Sequence, residues 1–163
     1  MDLAALLRLG HALAGVAFVV GLAGIWIVSD FASRADTPAS MRQLLRVARP
    51  FGQLTTGGGI TLTVLGVATA IALGRPLLGP LQGGSVDWLF VSVLLLIPIF
   101  GFLAVVYPRF GHRLGEALSA AEAEGRITAD LTAAWADPVY RLARRYELGA
   151  VIVILALMIS KPF

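Results

Sequence analysis

The sequence has no cysteine, which excludes disulfide bonds, iron–sulfur clusters and zinc sites built from thiolates. Charged residues are also scarce, since only 14% of the 163 residues are Asp, Glu, Lys or Arg while 58% are hydrophobic. This composition excludes a soluble domain. The net charge of +3 comes almost entirely from arginine and gives no indication of a nucleic acid partner. The sequence therefore predicts an integral membrane protein.

Long apolar runs take up most of the chain, and four of them are long enough to be considered as membrane spans. The third run contains Pro98 near its middle, which predicts a kink, and the apolar core of the fourth is short. The predicted fold is all-α, a transmembrane four-helix bundle that forms a single domain over residues 1–163. Its spans are predicted at about residues 3–28, 51–74, 87–108 and 140–161.

The polar connections contain signals for the start of helices. Thr37-Pro38 and Asp137-Pro138 each combine a capping side chain with a proline at the first helical position. The first of these predicts a short surface helix over residues 39–49, separate from the second span. A further amphipathic helix is predicted after the third span, ending at Gly125, and Thr128 is expected to cap another short helix.

The arginines predict the orientation in the membrane. Of the 13 basic residues, all but Arg8, Arg75 and Lys161 lie in the connections at residues 29–50 and 107–147. Basic connections remain on the cytoplasmic side, so both termini are expected to face outward.

The second span is rich in glycine and threonine between residues 55 and 70. Small residues at this density allow neighbouring helix backbones to approach closely, and each threonine can bond to its own helix or across to another. The Gly57 to Gly59 triplet predicts a bend, or a close approach by another backbone or a flat ligand. Plain helix packing accounts for the same pattern.

His11 is the candidate functional residue, because it is an ionisable side chain submerged in the first span. The sequence is compatible with three roles for the His11 side chain. The imidazole could be neutral and bonded to a threonine on the next helix, it could ligate haem or a metal, or it could relay protons.

The specific form of the ligation hypothesis is a haem b site, in which His11 would bind metal only as the axial ligand of the haem iron. Met158 lies at a comparable depth and is a candidate second ligand, while Arg8 and Arg75 are candidates for binding the propionates. The small residues of the second span would provide a flat wall for the macrocycle. No catalytic residue set can be assembled, which argues against an enzyme.

Several of these features together resemble an uncharacterised family of predicted four-helix bacterial integral membrane proteins, a domain of unknown function. They are His11, the arginine-rich first connection, the entry into the last span at residues 144–147 and the tail at residues 160–163. More distantly, the first helix is similar to that of membrane protoporphyrinogen oxidases, which bind haem b, and of copper-resistance D-type membrane domains. Those oxidases use a lysine within a later span, whereas Lys161 here is close to the end of the chain. The resemblance implies a multi-pass protein of the bacterial inner membrane.

The predicted function is that of a non-enzymatic accessory or scaffolding subunit of a membrane assembly. Its expected partners are the lipid bilayer and other membrane subunits or further copies of itself. The first alternative is a membrane redox protein that binds haem b through His11. The second is a small transporter or sensor that uses the same histidine.

Overall fold

The computed structural model describes residues 2–162, which form helices joined by short connections, with no strand among them. The all-α fold class is confirmed. A 3₁₀ turn at Gly79–Gln82 precedes the third long helix, and a π-helical turn at Phe102–Val106 joins α3 to α4. The helices are α1 Leu3–Ser33, α2 Pro38–Ala72, α3 Trp88–Gly101, α4 Tyr107–Glu124, α5 Ala129–Trp135 and α6 Pro138–Ser160.

Three helical stretches are long and apolar enough to cross a membrane, at Leu3–Ser33, Pro38–Ala72 and Trp88–Glu124. They overlap the first three predicted spans, although the second helix begins earlier and the third continues farther than the spans predicted. Among the described residues, α6 is not one of these candidates, and its first turns carry Arg141, Arg144 and Arg145. The fourth span and the orientation therefore stay predictions.

The chain consists of two compact units, Met1–Arg75 and Pro76–Phe163. The first contains α1 and α2, which pack against each other as an antiparallel pair. The second contains α3 to α6, in which α3 packs on α6 and α4 on α5. The single four-span domain stays a prediction.

The predicted helix boundaries are confirmed where a capping side chain defines them. Thr37 accepts a hydrogen bond from the Ser40 backbone N–H at 3.2 Å, and Asp137 accepts one from that of Tyr140 at 2.9 Å. Gly125 ends α4 with a left-handed φ of 68°.

The separate surface helix predicted over residues 39–49 is wrong, because α2 continues without a break through Pro50 to Ala72. A proline inside a helix removes one hydrogen bond and costs about 3 kcal/mol. Contacts of α2 with α1, which include Phe51 against Gly24, favour the longer helix. The helix predicted after the third span is likewise not separate, since α4 follows α3 directly through the π-helical turn.

Glycines bring α1 and α2 into backbone contact. A Cβ atom at Gly21 would lie 2.6 Å from the Thr55 backbone nitrogen, and one at Gly58 would lie 2.9 Å from that of Phe18. Gly57, one residue earlier, has open space beside it, and α2 is helical throughout the triplet. The predicted close approach of another backbone is confirmed at Gly58, and no break in α2 accompanies it.

Candidate functional site

His11 lies on the face of α1 that packs against α2. Its Nδ1 is 2.8 Å from the backbone carbonyl oxygen of Leu62, and the side chain is half-buried. A carbonyl oxygen can only accept, so Nδ1 carries the proton of this bond. In the neutral imidazole, Nε2 then keeps its lone pair and is free to accept a hydrogen bond or bind a metal.

The threonine partner expected for His11 is wrong. The hydroxyls of Thr55, Thr63 and Thr69 each donate to a carbonyl of their own helix, four residues earlier, at 2.6 to 2.8 Å. A threonine in a helix can always reach such a carbonyl, which satisfies its hydroxyl without a neighbouring helix. His11 therefore bonds to the backbone of α2.

Gly66 provides the space that the imidazole fills. A Cβ atom at Gly66 would lie 2.8 Å from His11 Cε1 and 3.1 Å from Nδ1, but 3.9 Å from Nε2. Phe18 packs against Gly58 and Gly59 farther along the same face. Gly58, Gly59 and Gly66 thus face α1, whereas Gly57 does not, and Nε2 is the ring nitrogen more distant from Gly66.

The other residues assigned to the haem hypothesis lie in both units. Arg8 and Arg75 are exposed at the same end of the α1–α2 pair, where the Arg8 side chain donates to the Ala4 carbonyl at 3.3 Å. Met158 is half-buried on α6, in the second unit. Its role as a second ligand, like the haem site itself, stays a prediction.

No metal centre made of side chains alone is present in the described part of the chain, where no group of three or more His, Cys, Asp or Glu residues is placed to hold an ion. A haem iron differs from a simple metal ion because the macrocycle supplies four of its ligands. The hypothesis for His11 is therefore restricted to haem.

A second polar cluster, in the second unit, was not identified from the sequence. Glu147 on α6 is buried, with 3% of its surface exposed, and accepts a hydrogen bond from the Tyr107 hydroxyl at 2.5 Å. The Tyr140 ring lies edge-on to that of Tyr107 at 6.0 Å, and the charge of Arg144 acts on both Tyr140 and Glu147. Tyr107 thus provides the hydrogen bond to Glu147, and Arg144 provides a nearby positive charge.

The sequence does contain a signal for this cluster. Tyr140, Arg144 and Glu147 are separated by four and three residues and so share one face of α6. Such a face, in a helix that is otherwise largely apolar, indicates a polar contact with a neighbouring helix. The sequence does not identify Tyr107 as the neighbour, because it lies 40 residues earlier.

The family DUF2269, described as a predicted integral membrane protein, matches residues 5–162. The chain belongs to DUF2269. This confirms the resemblance to an uncharacterised membrane family, and a DUF2269 protein is expected to reside in a lipid bilayer.

Comparisons with curated proteins and with solved structures give no significant match. The more distant resemblance to protoporphyrinogen oxidases and copper-resistance domains is therefore not shown. For this DUF2269 chain, function has to be argued from the geometry of its own residues.

Proposed function

We propose that this protein is a non-enzymatic accessory or scaffolding subunit of an assembly in the bacterial inner membrane, with four spans and both termini outward. The observation that supports this is a polar stripe on the exposed face of α2. It consists of Gln53, Gly57 and Thr61, which are four residues apart and therefore lie one above the other.

The stripe has no partner in the part of the chain that the structure describes. Neither Gln53 nor Thr61 has a side-chain hydrogen bond there, although three other threonines of α2 bond to their own helix. A Cβ atom added at Gly57, between them, would have nothing within 4 Å. An amide or hydroxyl facing hydrocarbon without a partner is costly.

A transmembrane helix of a partner subunit fits this stripe. Gly57 allows close approach of a helix backbone, and Gln53 and Thr61 can bond to polar groups on that helix. Lipid tails offer no hydrogen bonds, whereas the neighbouring Ile60 and Val64, 60% and 59% exposed, suit either lipid or protein. The stripe thus favours a protein neighbour over lipid, and the proposed neighbour is a helix of a second subunit.

The association is tested by native mass spectrometry of gently solubilised protein. We expect the wild type in a complex larger than one chain, and Gly57→Leu as a free monomer because the leucine blocks close approach. Ala12→Leu introduces the same side chain at an exposed alanine of α1 and is expected to leave the complex intact.

The mass of the complex distinguishes a different subunit from a second copy of this chain. A wild type that is monomeric under conditions that preserve other membrane complexes would contradict the proposal. Equal loss of the complex in Gly57→Leu and Ala12→Leu would show that the stripe is not the contact. A cysteine placed at position 61 offers an independent check, since the chain has no other cysteine to cross-link.

A haem b protein is the second candidate function, and the Nδ1 contact of His11 with Leu62 is what favours it. Haem-ligating and metal-ligating histidines bind through one ring nitrogen while the other donates to a carbonyl or carboxylate, as Nδ1 does here. Arg8 and Arg75 would provide cations for the propionates. Bound haem would supply redox or gas-binding chemistry. The hydrogen bond to the Leu62 carbonyl would orient the His11 imidazole as the ligand of the iron.

An absorption spectrum of protein purified from cells with ample haem tests this candidate. We expect a Soret band in the wild type that is lost in His11→Ala and retained in His112→Ala, which changes the only other histidine. A colourless wild type, or a band that persists in His11→Ala, would rule out His11 ligation.

A further inference from the structure

The second unit contains an open cleft of about 400 Å³ where the π-helical turn and the start of α4 lie beside the start of α6. One part of its wall is apolar and includes Val105, Val106 and Val139. The other part is polar and includes Arg109, Arg113 and Asp137. The cleft is therefore amphipathic, with an apolar and a polar residue contributed by the start of α6 and the others by the π-helical turn and α4.

Among the residues that the structure describes, Arg109 is a cation of the cleft that no carboxylate neutralises. Arg113 donates to Asp137 at 2.9 Å, and the other carboxylate oxygen of Asp137 caps α6, so these two charges offset each other. Arg109 has no ion pair within residues 2–162. His112 on the same wall lies 3.4 Å from Glu116 and adds positive charge only when protonated. The polar wall thus has an excess of positive charge at Arg109.

The position of the cleft along the helix matches the edge of a bilayer. Val105 and Val106 end the apolar run of the third candidate span, which lies within Trp88–Glu124, and Arg109 begins the polar segment. A ligand in this cleft would have its apolar part at the level of the lipid tails and its charged part at the level of the headgroups.

Stacked rings make the cleft a formed feature rather than a loose surface groove. Phe110, which also lines it, stacks on Tyr140 with ring centroids 3.5 Å apart and planes 2° from parallel. The Trp135 ring lies edge-on to Phe110, with ring centroids 5.7 Å apart. These contacts tie α4 to α5 and α6 and hold the wall that carries Arg109.

We propose that this cleft binds an anionic phospholipid of the surrounding bilayer, with the phosphate at Arg109 and one acyl chain along Val105 and Val106. The recognised chemistry is a phosphate anion joined to an apolar tail. A guanidinium suits a phosphate because it is planar and offers several N–H donors. The apolar wall distinguishes such a lipid from a free phosphate. This inference is independent of the role of the α2 stripe and of haem.

Native mass spectrometry with defined lipids tests the proposal. Purified protein is exposed to equal amounts of phosphatidylglycerol and phosphatidylcholine, and the lipid retained at low delipidating energy is measured. We expect preferential retention of phosphatidylglycerol by the wild type and about a fivefold loss of that preference in Arg109→Gln. Arg145→Gln changes an exposed arginine of α6 that does not line the cleft and is expected to behave as the wild type.

Two further measurements test the contact with the acyl chain and whether the bound phosphate belongs to a lipid or is free in solution. Val106→Asn leaves the charge at Arg109 unchanged and is expected to weaken phosphatidylglycerol retention, while inorganic phosphate at the same concentration should not displace the lipid. Displacement by phosphate would show that a soluble anion is recognised and would overturn the lipid assignment. Equal loss in Arg109→Gln and Arg145→Gln would show general charge attraction and overturn the site.

Discussion

Replacing Gly58 by alanine is expected to destabilise the α1–α2 pair by about 1–3 kcal/mol, as overpacking of a closely fitted contact does. The added Cβ would lie 2.9 Å from the backbone nitrogen of Phe18 and 3.1 Å from its Cα. Backbone atoms cannot rotate away as the end of a side chain can, so the two helices would have to separate. The free energy of unfolding in mixed micelles measures the effect, followed by the fluorescence of Trp26 on α1 in a variant whose Trp88 and Trp135 are replaced by phenylalanine.

Gly57→Ala is the matched control for this prediction. It changes the adjacent residue of the same helix, where nothing lies within 4 Å of the new Cβ. We expect no loss, and a gain of up to about 1 kcal/mol from helix propensity. Gly21→Ala repeats the test from α1, since its Cβ would lie 2.6 Å from the Thr55 nitrogen. Equal stability of Gly57→Ala and Gly58→Ala would show that the backbone contact at Gly58 is absent.

Removing the Glu147 carboxylate is expected to cost the second unit about 1–3 kcal/mol for the Tyr107 hydroxyl left unsatisfied, with a further loss from the space vacated beside it. Tyr107→Phe is expected to cost at least as much, because it leaves a buried carboxylate without its donor. The free energies of unfolding of Glu147→Ala, Tyr107→Phe and the double variant form a double-mutant cycle. Their coupling should be about 1.5–3 kcal/mol, as for hydrogen bonds to charged groups.

Glu116→Ala provides the control for this cycle. Its side chain is 70% exposed on α4, so its removal should change the free energy of unfolding by less than about 0.5 kcal/mol. Additive effects of the two single variants at Tyr107 and Glu147 would argue against a direct bond between them. A loss in Glu116→Ala as large as that in Glu147→Ala would indicate a general charge effect on the second unit.

The sequence by itself determined the class of the protein and the local limits of its helices. Apolar runs of this length have to satisfy their backbone groups internally, which makes helices the outcome in any arrangement of the chain. Thr37, Asp137 and Gly125 act on residues within four positions of themselves, so their effects on helix ends follow from local chemistry. Membership of an integral membrane family depends on the same patterns.

Tertiary structure decided which of several similar residues make each contact. Nothing in the triplet distinguishes Gly58 from Gly57 until α1 lies against one of them. His11 had several possible partners, and it bonds to the Leu62 carbonyl because the α2 threonines are satisfied within their own helix. The bond from Tyr107 to Glu147 joins residues 40 positions apart. Such contacts depend on the rotation and depth of one helix against another, which side-chain packing sets and local sequence patterns leave open.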